Sequence, residues 1–123
     1  MKFINSSKAP AVVGPYSHAI VSNGMVYLSG SIGVDPQTGD LAEGIENQTK
    51  QVLANLKAVL KDAGSSVDKI VSANCYLQSM EDYAKFNHVY GEFFGNHKPA
   101  RTTIEVAALP RKALVEISFI AEI

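Results

Sequence analysis

The spacing of apolar and polar positions changes period several times along the chain. "HAIVSNGMVYLSG", residues 18–30, places two short apolar runs around Asn23-Gly24. That dipeptide supplies the positive φ angles of a type I′ turn, so a β-hairpin is predicted. "SIGVDPQTGDLAEG" holds Asp35-Pro36 and Thr38-Gly39, hence a turn and a polar connection, with a third strand at its start left open. From Ile45 the period becomes helical. Ile45, Thr49, Val52, Leu53, Leu56, Val59, Leu60 and Ala63 recur at spacings of three and four, while Gln48, Lys50, Gln51, Asn55, Lys57 and Lys61 take the other side. Gly64 ends this helix. "DKIVSANCYLQS" alternates as a strand. Ser79 and Asp82 resemble a capping box opening a second helix, with an apolar face of Tyr83, Phe86, Val89, Tyr90, Phe93 and Phe94. Strands at 101–108 and 113–121 complete the chain.

The order predicts an α+β domain, a mixed sheet with two helices packed on one face. On the last strand Val115, Ile117, Phe119 and Ala121 alternate with Leu114, Glu116, Ser118 and Ile120, and neither side is plainly polar. A sheet apolar on both faces needs a second cover, and self-association supplies one. Taken as a hairpin pairing Ala108 with Ala113, the last two strands set Thr103 opposite Ser118, Glu105 opposite Glu116, and Arg101 near Ile120. Arg101, Thr103, Glu105, Glu116 and Ser118 then share one face. Two facing carboxylates repel, so either a bulge shifts the register or one of them has a raised pKa. An exposed polar stripe is the plain alternative.

Composition narrows the function classes. The 123 residues fit a single domain, residues 1–123, able to bury roughly two-thirds of its unfolded surface. A net charge of −1 with no basic run argues against a generic grip on nucleic acid or an anionic membrane. The chain shows neither a signal-peptide core nor an apolar span of bilayer length, which points to the cytoplasm. Cys75 is the lone cysteine and sits in an apolar strand, the setting of an inert thiol. His18, His88 and His97 lack metal-ligand spacing. Ser29 in "LSGSIG" has no nucleophile elbow, and Gly30 and Gly33 are too sparse for a phosphate loop. Arg111 and Lys112 read as a solvated loop. Tyr16 follows the Gly14-Pro15 turn, which can aim its hydroxyl into a cleft. These features give an oligomer with a candidate anion-binding arginine, Arg101, and no reaction.

Five blocks, "GPYSHAI", "VYLSGSIGVDPQTGDL", "QTKQVLANLKAVLKDAG", "FNHVYGEFF" and "PARTTIEVAALPRKALVEISFIA", resemble the RidA/YjgF family in order and spacing over nearly the whole chain. The resemblance implies a chorismate-mutase-like subunit, assembled as a homotrimer with ligand clefts between subunits. The implied activity is hydrolysis of reactive enamines and imines, such as 2-aminoacrylate, 2-iminobutanoate and 2-iminopropanoate, to 2-keto acids and ammonia without metal or organic cofactor. Arg101 matches the arginine that binds the substrate carboxylate, and Glu116 the glutamate that acts on water or relays a proton. Tyr16, Ser29 and Asn87 match pocket-lining positions, and backbone N–H groups near Gly30 and Thr103 share the carboxylate's charge. Many members carry cysteine where this chain has Thr103, which makes a thiol mechanism untenable at that position. The competing readings are a ligand-sensing or chaperone-like trimer, and an RNA-cleaving translation inhibitor that the charge balance speaks against.

Overall fold

Asn23 and Gly24 take φ of 50° and 75°, and the turn they make joins β2 (Ala19–Ser22) to β3 (Met25–Leu28) as the sequence predicts. The computed structural model describes residues 1–123. Its other elements are β1 (Lys2–Ile4), β4 (Ser31–Ile32), α1 (Gly44–Asp62), β5 (Ile70–Leu77), α2 (Tyr83–Phe94), β6 (Ala100–Glu105) and β7 (Val115–Glu122). Strand β1 was not predicted; three residues are too few to show a period. The sheet order is β1-β2-β3-β7-β5-β6, with β4 also paired to β7. Only β5 and β6 run parallel, so the sheet is mixed.

The expected hairpin between the last two strands does not form. Strand β5 lies between β6 and β7, pairing with β6 in parallel and with β7 antiparallel. Helix α2 carries the chain from the end of β5 back to the start of β6, and such a crossover produces a parallel pair. The face assignment changes with it. Ala73 pairs with both Arg101 and Phe119, Cys75 with Thr103 and Ile117, and Leu77 with Glu105 and Val115. Paired residues share a face, so Arg101, Thr103 and Glu105 point toward the helices, as do the buried Phe119, Ile117 and Val115. Tyr76 pairs with Glu116 and Ile104, which puts Glu116 on the opposite face. Glu105 therefore never meets Glu116. Its Oε1 instead accepts the Met80 N–H at 2.8 Å.

Two bulges set the phase of neighbouring strands. Ile70 pairs with Ala121 and Ser72 with Ile120, so Val71 is extra, and Ile70 and Ala73 both reach the core. Tyr27 pairs with Ile120 and Ser31 with Ile117, so four steps on one side answer three on the other. The extra residue falls at Ser29–Gly30.

Both helices pack on one face. Val52, Leu53, Leu56, Val59 and Leu60 of α1 and Phe86, Val89, Tyr90 and Phe94 of α2 are buried, with Phe94 edge-on to Phe119 at 5.8 Å. Gln48 and Asn55, expected on the polar side of α1, are buried as well. Each satisfies a backbone group that the sheet leaves open: Gln48 Oε1 accepts the Leu114 N–H, and Asn55 Nδ2 donates to Val34 O, both at 2.8 Å. A Cβ on Gly33 would stand 2.5 Å from Gln48 O, so α1 rests directly on that glycine. Ser79 caps a 3₁₀ turn, Met80–Asp82, by accepting the Glu81 N–H, rather than opening α2 itself.

The other sheet face is open. Phe3, Ile20, Tyr27 and Ile120 form one row across four strands, with Phe3 67% and Tyr27 46% exposed. No helix is long and apolar enough to cross a membrane.

Candidate functional site

Strand β6 delivers Arg101 to the side of α2. Its Nη1 donates to Asn87 Oδ1 and its Nη2 to the Tyr83 hydroxyl, each at 2.7 Å. The guanidinium carbon sits 4.8 Å from the ring centre of Tyr90 and 5.7 Å from those of Tyr83 and Phe86. All of these partners are neutral. The only close ion pair in the subunit joins His88 and Glu92, so no carboxylate compensates Arg101. The aromatic faces hold the cation in place by cation–π attraction while leaving its charge unpaired. Tyr83 and Asn87 are four residues apart on α2 and so project side by side, which is how one helix grips both ends of the fork.

Thr103 follows two residues later, and its hydroxyl is buried without a hydrogen-bond partner. Its backbone is better placed. Val106 N–H donates to Leu77 O, and the two-residue period of a parallel ladder turns the N–H of Thr103 to the free edge of β6. Cys75 beside it is buried, and desolvation pushes its thiol up to about 12. Asn87, Tyr90 and Arg101 line a cavity of about 350 Å³ with Gly91 and Lys98.

Glu116 belongs to a different cavity of about 480 Å³, which it lines with Tyr16, Ser29, Gly30, Asp35 and Arg111. Partial burial raises its pKa by desolvation, which favours a carboxyl that takes up a proton readily. The Ser29–Gly30 bulge frames it. A Cβ on Gly30 would stand 2.6 Å from Glu116 Oε2. Ser29 donates its hydroxyl to Ser17 O at 2.6 Å and its N–H to His18 O at 3.0 Å. His18 in turn accepts the Ser6 N–H at Nδ1 and contacts Pro10 O through Nε2, so the segment before Tyr16 is tied to β2. Arg111 is exposed, as expected of a solvated loop, and it also donates to Gly39 O at 3.1 Å and takes a φ of 56°.

The predicted residues thus fall into two groups. Tyr16, Ser29, Gly30 and Glu116 line one cavity, and Asn87 and Arg101 the other. Within one subunit Arg101 and Glu116 lie on opposite sheet faces, on strands separated by β5. The sequence reading missed Tyr83 and Tyr90, because an aromatic at helical spacing reads as core. The paired polar tips of Tyr83 and Asn87 were the available signal.

Comparison with known proteins now bears on this arrangement. The family model described as Endoribonuclease L-PSP matches residues 6–123. The chain belongs to that family. Among its relatives is Reactive Intermediate Deaminase A, chloroplastic, of Arabidopsis thaliana, 42% identical over 119 residues, spanning 96% of this chain and 64% of that protein. Solved structures of the family superpose closely. RidA from Psychrobacter sp. PAMC 21119 is 41% identical, with TM-score 0.97 and full coverage of both chains. Escherichia coli TdcF with bound serine is 36% identical, with TM-score 0.96 and coverage of 100% of this chain and 99% of that one. The RidA/YjgF resemblance is thereby established, and with it the α+β fold of the chain.

Proposed function

We propose that this protein hydrolyses reactive enamine and imine intermediates, including 2-aminoacrylate, 2-iminobutanoate and 2-iminopropanoate, to 2-keto acids and ammonia in the cytoplasm. The carrying observation is the uncompensated guanidinium of Arg101, fixed by neutral partners. A small carboxylate is the counter-charge such a fork accepts in bidentate fashion. Serine, bound to TdcF, has the same carboxylate and α-nitrogen as these imines.

The opposed faces of Arg101 and Glu116 require two subunits to build one site. Arg101 and the Thr103 N–H of one subunit hold the carboxylate, while Tyr16, Ser29, Gly30 and Glu116 of its neighbour surround the C=N bond. A homotrimer closes such an arrangement in three identical sites and covers the open row of Phe3, Ile20, Tyr27 and Ile120. Fixing the carboxylate positions the imine carbon. The enamine enters by tautomerising to the imine, and the imine reacts as its protonated iminium. Glu116 takes a proton from water as the oxygen adds to that carbon and gives that proton to the amine of the resulting carbinolamine. It then accepts the hydroxyl proton as the C–N bond breaks to leave the keto acid and ammonia. The imine is already electrophilic, so the scheme calls on no metal or organic cofactor.

The family name favours RNA cleavage as a second reading. With net charge −1 and an aromatic helix face turned to the core, the chain has little to hold a phosphate backbone. A ligand-sensing or chaperone-like trimer would use Arg101 without needing Glu116. The deciding experiment generates 2-iminobutanoate with threonine dehydratase and follows 2-oxobutanoate release. Acceleration that Arg101→Ala abolishes supports the deaminase, and an unchanged rate with the wild-type protein refutes it.

A further inference from the structure

The bulge at Ser29–Gly30 has a polarity that bears on which ligands the site admits. The Ser29 hydroxyl lies 2.6 Å from Ser17 O. A carbonyl oxygen only accepts, so the single hydroxyl proton is committed there. The Ser29 N–H is committed to His18 O. What Ser29 offers the cavity is lone pairs. The missing side chain of Gly30 lets Oε2 of Glu116 lie against the same bulge, 2.6 Å from where a Cβ would be, and an ionised carboxylate also only accepts.

We infer that Ser29 and Glu116 form a nitrogen-selecting subsite, made of two acceptors, that favours an α-nitrogen bearing N–H groups over the carbonyl oxygen of a 2-keto acid. This rests on the proposed placement of the substrate between Arg101 and Glu116. An iminium or ammonium donates to both acceptors. A keto acid with the same carboxylate sets a third acceptor against them. The subsite would hold the substrate and expel the product of the same reaction, with Gly30 as the positioning residue that makes room for Glu116. Other polar groups line the cavity as well. The Tyr16 hydroxyl can donate or accept, and Arg111 gives one of its five N–H donors to Gly39 O. At the bulge itself the Gly30 N–H, which has no backbone partner, is the donor beside the two acceptors.

The test compares two ligands that differ only at the α-position, L-2-aminobutanoate and 2-oxobutanoate, by calorimetric titration of the whole protein at pH 8. The amino acid should bind about tenfold more tightly, the effect of one hydrogen bond to a charged group. Ser29→Ala should remove about that factor for the amino acid and leave 2-oxobutanoate unchanged or tighter, while Ser29→Thr, which keeps the hydroxyl, should restore the preference. Glu116→Gln substitutes a donor for an acceptor and should shift the preference toward 2-oxobutanoate. Equal affinities, or equal weakening of both ligands by Ser29→Ala, would overturn the subsite. Tighter binding of 2-oxobutanoate to the wild type would also overturn it and assign the carbonyl to the Gly30 N–H. The imine assay is read separately: turnover without an amino-acid preference refutes the subsite alone, and the preference without turnover refutes the deaminase alone.

Discussion

Two inactive variants should restore one another when their subunits are mixed. Arg101 and Glu116 are separated by β5, so two inter-strand spacings of about 4.8 Å lie between their backbones. Arg101 is level with Phe119, three residues from Glu116 along β7, which adds about 10 Å at roughly 3.3 Å per residue. Their side chains then leave opposite faces. No rotamer closes that gap, so under the proposed mechanism one substrate can meet both residues only across a boundary between two copies of the chain. Arg101→Ala and Glu116→Ala should each abolish turnover. Denatured together in equal amounts and refolded, they should form mixed trimers. In a ring of three, every mixed trimer has one site with both residues intact, so about a quarter of wild-type activity should return, if the symmetry is cyclic. Turnover is measured by 2-oxobutanoate release after confirming trimer mass. Activity no higher than that of either parent, in verified mixed trimers, would refute the shared site.

Further expectations follow from single contacts. Arg101→Lys keeps the charge and loses the fork, so kcat/KM should fall about ten- to a hundredfold, the worth of a charge-assisted hydrogen bond. Because Glu116 has a raised pKa in the folded protein, its stabilising contribution is complete below the unfolded value and lost as pH rises through the folded one. Urea titrations should therefore show Glu116→Gln more stable than wild type at pH 8, with the difference vanishing below about pH 4; an unchanged difference across that range would exclude desolvation as the cause. Gly33→Ala drives a Cβ into the backbone of α1, and denaturant unfolding should register about 1–3 kcal/mol of lost stability. With its thiol buried and pushed up to about 12, Cys75 should resist aromatic disulfide reagents at pH 8 until the protein is unfolded.

Local periodicity made much of the fold legible. The Asn23-Gly24 turn, the α1 stripe and the aromatic face of α2 all depend on neighbours a few residues apart, and all formed as expected. Pairing between distant strands was less accessible. The hairpin reading of the last two strands set Glu105 against Glu116, and that like-charge clash was a sign of wrong pairing; the strand–helix–strand order of β5, α2 and β6 already favoured a parallel pair. Gln48 and Asn55 looked polar-facing because their roles, closing Leu114 N–H and Val34 O, lie in segments far along the chain. Arg101 stood out as a candidate anion-binding arginine from the residues themselves. The paired roles of Arg101 and Glu116 came from the family resemblance, and the sequence alone did not reveal that the two would turn away from each other. Tyr83 and Tyr90 were hidden because packing and guanidinium support use the same ring.

Strand β7 pairs with β3, β4 and β5, and it lies C-terminal to each of them. Every one of its ladders joins segments far apart in the chain, so the subunit has the non-local topology that slows two-state folding into the millisecond-to-second range. Until Val115–Glu122 is available, the hairpin, the short β4 and the crossover unit have no common strand to join them. A nascent chain lacking that segment would hold exposed strand edges on both sides of a vacant slot, the kind of species that aggregates or recruits chaperones. Loss of β7 by truncation should therefore be felt as failure to assemble the sheet at all, whereas loss of the three-residue β1 should leave a folded subunit.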